Sequence, residues 1–261
     1  MEKDLGKSTI STPAELANLT TRFIDQFCSR MAFPSAVDIQ IDRHPKGNDH
    51  RSPQASPVHA SLENQKLTIH LCDEALMGIP PLALQGWLDM ELARRQLDLE
   101  ASIYRVNFNK EIRPLVYTGG SGLHLVRHMV VHLETSLKNL IAAQIVIEID
   151  NSRSLLYYYT YKISPSVEEK ENYRRLFPHQ WIRAIFLCKK NKGFTPVALL
   201  AAKGIAAELE SYWWDCHAYI APEDKRFLKT IFHLSNQNPV KYFSETLVEI
   251  FKFVRSQLLI P

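Results

Sequence analysis

The hydrophobic period of this chain changes near residue 80, and that change constrains the fold more than any other feature. Before it, apolar residues alternate over 37–41, and two strand-like runs at 58–62 and 66–71 form a hairpin pattern. After it, apolar residues recur every three or four positions, and prolines stand near the start of most segments. The sequence therefore predicts an α+β fold with a small N-terminal sheet, antiparallel or mixed, and a mainly helical body.

Helical patterns cover most of the chain. Thr12 can cap a first helix, Pro13 suits its first turn and Glu15 completes a capping box, so a helix is predicted from there to about residue 33. The other predicted helices cover residues 81–97, 123–147, 166–176, 180–190, 196–219, 222–234 and 240–259.

No linker-like segment marks a boundary between domains. We therefore predict a flexible leader over residues 1–11 and a single α+β domain over residues 12–261. Its sheet-containing part covers about 12–118 and its helical part about 119–261. Residues 44–57 are polar, proline-rich and without a period, which predicts a mobile loop.

Composition excludes several classes of protein. The chain has 31 Lys and Arg against 28 Asp and Glu, a formal net charge of +3, which argues against a strongly basic nucleic-acid binder. No uninterrupted apolar run approaches the roughly 18 residues of a membrane-spanning helix. The four cysteines form no C-x-x-C pair, and the N-terminus has no apolar signal core. We expect a cytoplasmic protein without nucleic-acid or membrane partners.

One stretch carries a family resemblance. Residues 62–97 (LENQKLTIHLCDEALMGIPPLALQGWLDMELARRQL) combine a hairpin strand, a short loop with an acidic pair, Pro-Pro and a helix containing L-x-x-E-L-A. This arrangement resembles the core of small zincin-type metallopeptidases, in which a sheet edge strand lies over the active-site helix. In those enzymes that helix carries H-E-x-x-H, whose two histidines bind zinc while the glutamate activates the metal-bound water.

The resemblance implies a zincin-like fold with a degenerate motif. The general-base position keeps an acid, Glu91, but the two ligand positions are Met90 and Arg94. Methionine is a weak zinc ligand and arginine has no lone pair to donate, so we expect no zinc here and at most a vestigial catalytic residue in Glu91. Glu134 lies near where such families place a third ligand, but the Asp that often follows four residues later is Lys138 here.

Two interpretations of these motifs stay open. Glu91 is either one half of a surface ion pair with Arg94 or Arg95, or a polar group retained in a cleft. Three histidines spaced by four residues form a slanting stripe on the predicted helix 123–147, namely His124, His128 and His132. They belong either to the polar face of that helix or to a metal site.

The degenerate motif favours a non-catalytic scaffold, a pseudo-metallopeptidase that binds a protein or peptide partner and needs no cofactor. The alternative is a divergent metal-dependent hydrolase or peptidase that uses His128, His132 and either Glu91 or Glu134, with zinc as its cofactor. A third possibility is a helical regulatory or adaptor module unrelated to zincins. The aromatic cluster of Tyr157-Tyr158-Tyr159 and Tyr161 is expected to be buried against the helical body rather than to stack on bases.

Overall fold

A computed structural model describes residues 9–31, 38–44, 56–63, 66–100, 103–116, 121–163, 165–176 and 179–258 of the chain. The strands are β1 (Asp38–His44), β2 (Val58–Glu63) and β3 (Lys66–Cys72). The helices are α1 (Pro13–Met31), α2 (Asp73–Leu76), α3 (Pro81–Leu99), α4 (Ser121–Glu148), α5 (Ser152–Lys162), α6 (Val167–Leu176), α7 (Gln180–Ala202), α8 (Ala207–Cys216), α9 (Pro222–Ser235) and α10 (Phe243–Leu258). The predicted α+β class is confirmed.

The chain divides into two compact units. Unit 1 is Met1–Leu99 with Gln144–Tyr161, and unit 2 is Glu100–Ala143 with Lys162–Pro261. Unit 1 therefore holds the sheet, α1 to α3, the last turn of α4 and nearly all of α5. Unit 2 holds most of α4 and the helices from α6 onward. The sequence-based expectation of a single domain stays a prediction.

The sheet of unit 1 is mixed, with strand order β1-β3-β2. The hairpin is antiparallel from Glu63↔Lys66 to Val58↔Leu71, whereas β1 pairs with β3 in parallel from Asp38↔Lys66. Alternate residues of β3 are buried, as expected of a strand with one face on the core. Helix α3 packs on β2 and α1 packs on α3, which confirms that the motif helix lies against the sheet.

The entry to α1 departs slightly from the predicted capping box. The N–H of Glu15 donates to Thr12 Oγ1 at 3.1 Å, as expected, but the Glu15 carboxylate accepts from the N–H of Ser11 at 2.9 Å. Ile10 is buried and exchanges backbone hydrogen bonds with Gly78 and Ile79. The rest of the predicted leader, residues 1–8, and most of the predicted mobile loop, residues 45–55, lie outside the described residues.

Unit 2 is organised around α7, which packs against α6, α8, α9 and α10. The prediction that a new helix begins at Pro196 was wrong, because α7 continues through that residue. Proline lacks the N–H that would bond the carbonyl of Lys192 four residues earlier. Asn139 of α4 donates its Nδ2 to that carbonyl at 3.0 Å, and this tertiary hydrogen bond replaces the missing helical one.

By length and composition alone, Gly122–Glu148 of α4 is a candidate for a helix that crosses a membrane. More than half of its most apolar window is buried inside the protein, as in the core helix of a soluble protein. Polar residues break the apolar segments of this helix, so the sequence contains no uninterrupted apolar run there.

Candidate functional site

The degenerate motif lies on α3, where a glycine lets α5 approach closely. A Cβ atom on Gly86 would stand 2.3 Å from the carbonyl oxygen of Ser154 and 2.7 Å from Cβ of Tyr158. No side chain fits there without moving backbone atoms. The first turns of α5 therefore lie directly against α3, one turn before the motif residues.

The motif side chains are buried, not exposed on a helix surface. Met90 is fully buried, and Glu91 is 7% exposed. The Arg94 Nη1 donates to the Glu91 carboxylate, and Nη2 lies 3.5 Å from the hydroxyl oxygen of Tyr158. Burial by itself lowers the pKa of Arg94, but the interactions with Tyr158 and Glu91 raise it by more, so the guanidinium stays charged.

This arrangement does not fit a zincin metal centre. A catalytic zinc takes three protein ligands and one open position for water. Here Met90 offers a buried thioether, and Arg94 places a positive charge where a dication would sit. The carboxylate of Glu91, at the position that corresponds to the general base of zincins, accepts a hydrogen bond from that guanidinium. The chemistry of these side chains supports an ion pair within α3, whose arginine also contacts Tyr158 of α5.

The tyrosine run of α5 forms the other side of this cluster. Tyr157, Tyr158 and Tyr159 are all buried, as predicted from the sequence, but the prediction was wrong for Tyr161, which is 49% exposed. Tyr158 packs edge-on against Trp87 of α3, with ring centroids 5.6 Å apart. The hydroxyl of Tyr159 is buried and has no hydrogen-bond partner among the described residues. Sequence reasoning missed the contact of Tyr158 with Arg94, because 64 positions separate them.

A buried acid next to the motif was also missed. Asp89 is fully buried, and its Oδ2 accepts hydrogen bonds from Ser154 Oγ at 2.8 Å and Asn151 Nδ2 at 3.1 Å. Its Oδ1 has no partner among the described residues. Arg30 of α1 donates to Asn151 Oδ1 at 2.7 Å and so reaches Asp89 only through that amide. Burial raises the pKa of Asp89 to about 7, although the two hydrogen bonds and Arg30 oppose it.

The histidine stripe of α4, in unit 2, splits between two environments. His124 and His128 are exposed, and their Nε2 atoms are 3.0 Å apart. His132 is half-buried, and its Nδ1 is buried without a hydrogen-bond partner in the part of the chain that the structure describes. Burial, with Lys192 and Lys189 of α7 and His128, lowers the pKa of His132 to about 4, so this imidazole is neutral near pH 7.

Glu134, the proposed third ligand, forms an ion pair with Lys138 at 3.3 Å. Across the described parts of the chain, no three or more His, Cys, Asp or Glu side chains come together as a metal ligand set. His128, His132 and Glu134 are therefore not assembled into one site. The expectation that metal and cofactor are dispensable stays a prediction.

Unit 2 also contains a polar cluster, and this one was not predicted from the sequence. Asp224 of α9 accepts a two-pronged hydrogen bond from Arg183 of α7 and a third bond from the hydroxyl of Tyr173 of α6 at 2.6 Å. Beside it, Glu169 of α6 binds the Tyr219 hydroxyl and the Lys190 ammonium. Each carboxylate thus has one tyrosine and one cation, and the two tyrosine rings lie 5.5 Å apart.

This cluster joins α6, α7 and α9 to the turn that follows α8. Burial raises the pKa of Tyr173 and of Tyr219, and the hydrogen bonds to Asp224 and Glu169 raise them further, so both phenols stay protonated donors. Burial also lowers the pKa of His217 to about 4, with Lys190 adding to the effect. The only sequence signal was the charged and aromatic spacing of α6, where Glu169 and Tyr173 are four residues apart.

No protein-family model, no curated protein and no solved structure matches this chain. The candidate sites therefore rest on the chemistry of their own residues.

Proposed function

We propose that this protein is a non-catalytic interaction protein with a zincin-like frame, in which the degenerate motif stabilises the fold. The ion pair between Arg94 and Glu91 carries the proposal, because it occupies both the second ligand position and the general-base position. The carboxylate of Glu91 already accepts a hydrogen bond from Arg94 and is therefore less available to take a proton from water.

The partner is proposed to be a protein or peptide, and the location the cytoplasm. Val167, Val131 and Ile103 of unit 2 are each more than half exposed, and burying such side chains would favour association. The balanced charge of the whole chain supports a partner other than nucleic acid. The alternative, a metal-dependent hydrolase, has weaker support because Glu134 is paired with Lys138.

Zinc content and peptidase activity of the full chain test this proposal. We expect purified protein to hold no zinc whose retention depends on Glu91, and to show no cleavage of an unfolded substrate such as casein. The Glu91→Gln variant should leave both readouts unchanged while lowering stability by about 2 kcal/mol, because it leaves the Arg94 charge nearly buried without a counter-ion. Glu74→Gln, at an exposed position of the same unit, is the matched control and should change nothing.

Two results would contradict the proposal. The first is casein cleavage that is abolished in a folded Glu91→Gln variant. The second is one zinc per chain that is lost in both His132→Ala and Glu134→Gln, which would establish the hydrolase alternative.

A further inference from the structure

The exposed face of α4 presents two imidazoles in contact. His124 and His128 lie one turn apart in the first part of the helix, and both are exposed. Their ring centroids are 4.4 Å apart, and the rings are nearly perpendicular. The two Nε2 atoms are 3.0 Å apart, within hydrogen-bond distance of each other.

That separation limits what can lie between the two nitrogens. Both cannot carry a proton, because two N–H groups would then face each other at hydrogen-bond distance. A divalent ion fits this spacing, since Nε2 atoms bound at about 2.05 Å are about 2.9 Å apart when the angle at the metal is 90°. At a tetrahedral angle the same bonds place the nitrogens about 3.3 Å apart, which is farther than observed.

We infer that His124 and His128 form a two-nitrogen chelate for a divalent transition-metal ion with tetragonal or octahedral geometry, such as Cu²⁺ or Ni²⁺. These ions accept imidazole nitrogens at adjacent 90° positions. The remaining positions are open to water or to a ligand from a partner. This inference is independent of the proposed function, because the zinc test there concerns Glu91 of α3 together with His132 and Glu134.

The surroundings of the pair explain why the third histidine of the stripe is not a ligand. His132 faces Lys189 and Lys192 of α7, whose charges disfavour a cation. Arg127, between the two ligands in sequence, stacks on the ring of Phe108 with its guanidinium carbon 5.1 Å from the ring centroid. The nearest arginine of α4 is therefore held by an aromatic ring.

Titration of the full chain with Ni²⁺, followed by calorimetry, and with Cu²⁺, followed by electron paramagnetic resonance, tests the inference. We expect one ion per chain and a Cu²⁺ spectrum with two nitrogen ligands. His124→Ala and His128→Ala should each weaken binding about 100-fold, because the second imidazole binds intramolecularly once the first is engaged. His132→Ala and His233→Ala, the latter on α9, should bind as the wild type does.

Equal weakening in His132→Ala would overturn the inference and assign the site to a different pair. Binding that survives in both His124→Ala and His128→Ala, or the absence of any binding to the wild type, would overturn it as well. Because both side chains are exposed, the variants should melt at the wild-type temperature. If an alanine variant melts lower, the glutamine variants His124→Gln and His128→Gln decide between the outcomes.

Discussion

Two aspartates, Asp89 in unit 1 and Asp224 in unit 2, are buried to the same extent and held in opposite ways. Asp224 receives both prongs of the Arg183 guanidinium and a tyrosine hydroxyl, so both carboxylate oxygens have donors. Among the described residues, Asp89 receives only a hydroxyl and an amide, both on one oxygen, and Arg30 is hydrogen-bonded to Asn151 instead. Two equally buried acids therefore differ in whether a cation contacts them directly.

The largest effect is expected from removing the charge of Asp224. Asp224→Asn leaves the Arg183 guanidinium largely buried without its counter-ion, which should lower the free energy of unfolding by about 4 kcal/mol. Glu223→Gln is the matched control, since this neighbour also lies 3.4 Å from Arg183 but is 52% exposed. Its cost should stay below about 1 kcal/mol in urea denaturation. Equal losses in both variants would show that the bond to Asp224 is no stronger than a surface pair.

The ionisation of Asp89 should give unit 1 a distinctive dependence on pH. Its folded pKa, about 7, lies above the ordinary value of 3.8, so the folded state binds more protons between these values. The contribution of Asp89 to the free energy of unfolding should therefore be largest below pH 4 and fall as pH rises toward 7, by about 3 kcal/mol between pH 5 and pH 8. Asp89→Asn should abolish this pH dependence in the free energies of opening that hydrogen exchange measures in α3 and α5. The slope should persist in Asp98→Asn, at a partly exposed position of the same helix, and its loss there would refute the assignment.

Glycines of α3 and α7 allow a third comparison of the units. Gly86→Ala should destabilise by about 2 kcal/mol, because the new Cβ would overlap the carbonyl of Ser154. Gly193→Ala, with nothing within 4 Å of its Cβ, should instead stabilise α7 by about 0.5 kcal/mol or more. Thermal melting measures both. A Gly86→Ala variant that is as stable as the wild type, or more stable, would mean that the close approach of α5 to α3 is wrong.

An effect smaller than that of Gly86→Ala concerns the neutral histidines of unit 2. The folded pKa values of His132 and His217, about 4, lie below the ordinary value of 6.5, so the unfolded state binds more protons between these values. The stability that these neutral imidazoles contribute is present above pH 6.5 and is lost as pH falls. For His217 the loss is about 1 kcal/mol between pH 7 and pH 5.5. The amide protection factors of α7 and α8, which are corrected for the intrinsic slowing of exchange in acid, should thus fall on acidification, whereas those of α3 and α5 rise. His217→Gln should remove most of the effect in α8.

Much of the secondary structure was predictable because its causes are local. Alternation located the three strands, and the helical period located α3, α4 and α9 to within a few residues. The error at Pro196 has a specific cause. A proline normally starts a helix, and only a side chain from α4, 53 positions away from Lys192, makes its place inside α7 tolerable.

The candidate site, too, has features that the local sequence predicts and features that depend on distant residues. The identities of Met90 and Arg94 are enough to predict that the motif lacks zinc ligands, because the ability to bind a metal depends on the residue type. That Glu91 and Arg94 form a buried pair was not predictable, because burial is supplied by α5, more than sixty residues later. The equal spacing of His124, His128 and His132 likewise predicted one stripe. Only the packing of α7 against α4 separates two exposed imidazoles from one held neutral.

By itself, then, the sequence determined the α+β class, the positions of most elements and the lack of zinc-binding side chains at residues 90 and 94, because each follows from residue type and near-neighbour spacing. Tertiary structure alone decided that β1 pairs in parallel with β3, that Asp89 lacks a cation contact and that Asp224 has one. These features depend on which donors and charges distant elements bring to a residue. Protonation, burial and pairing are properties of that environment, and no local pattern encodes them.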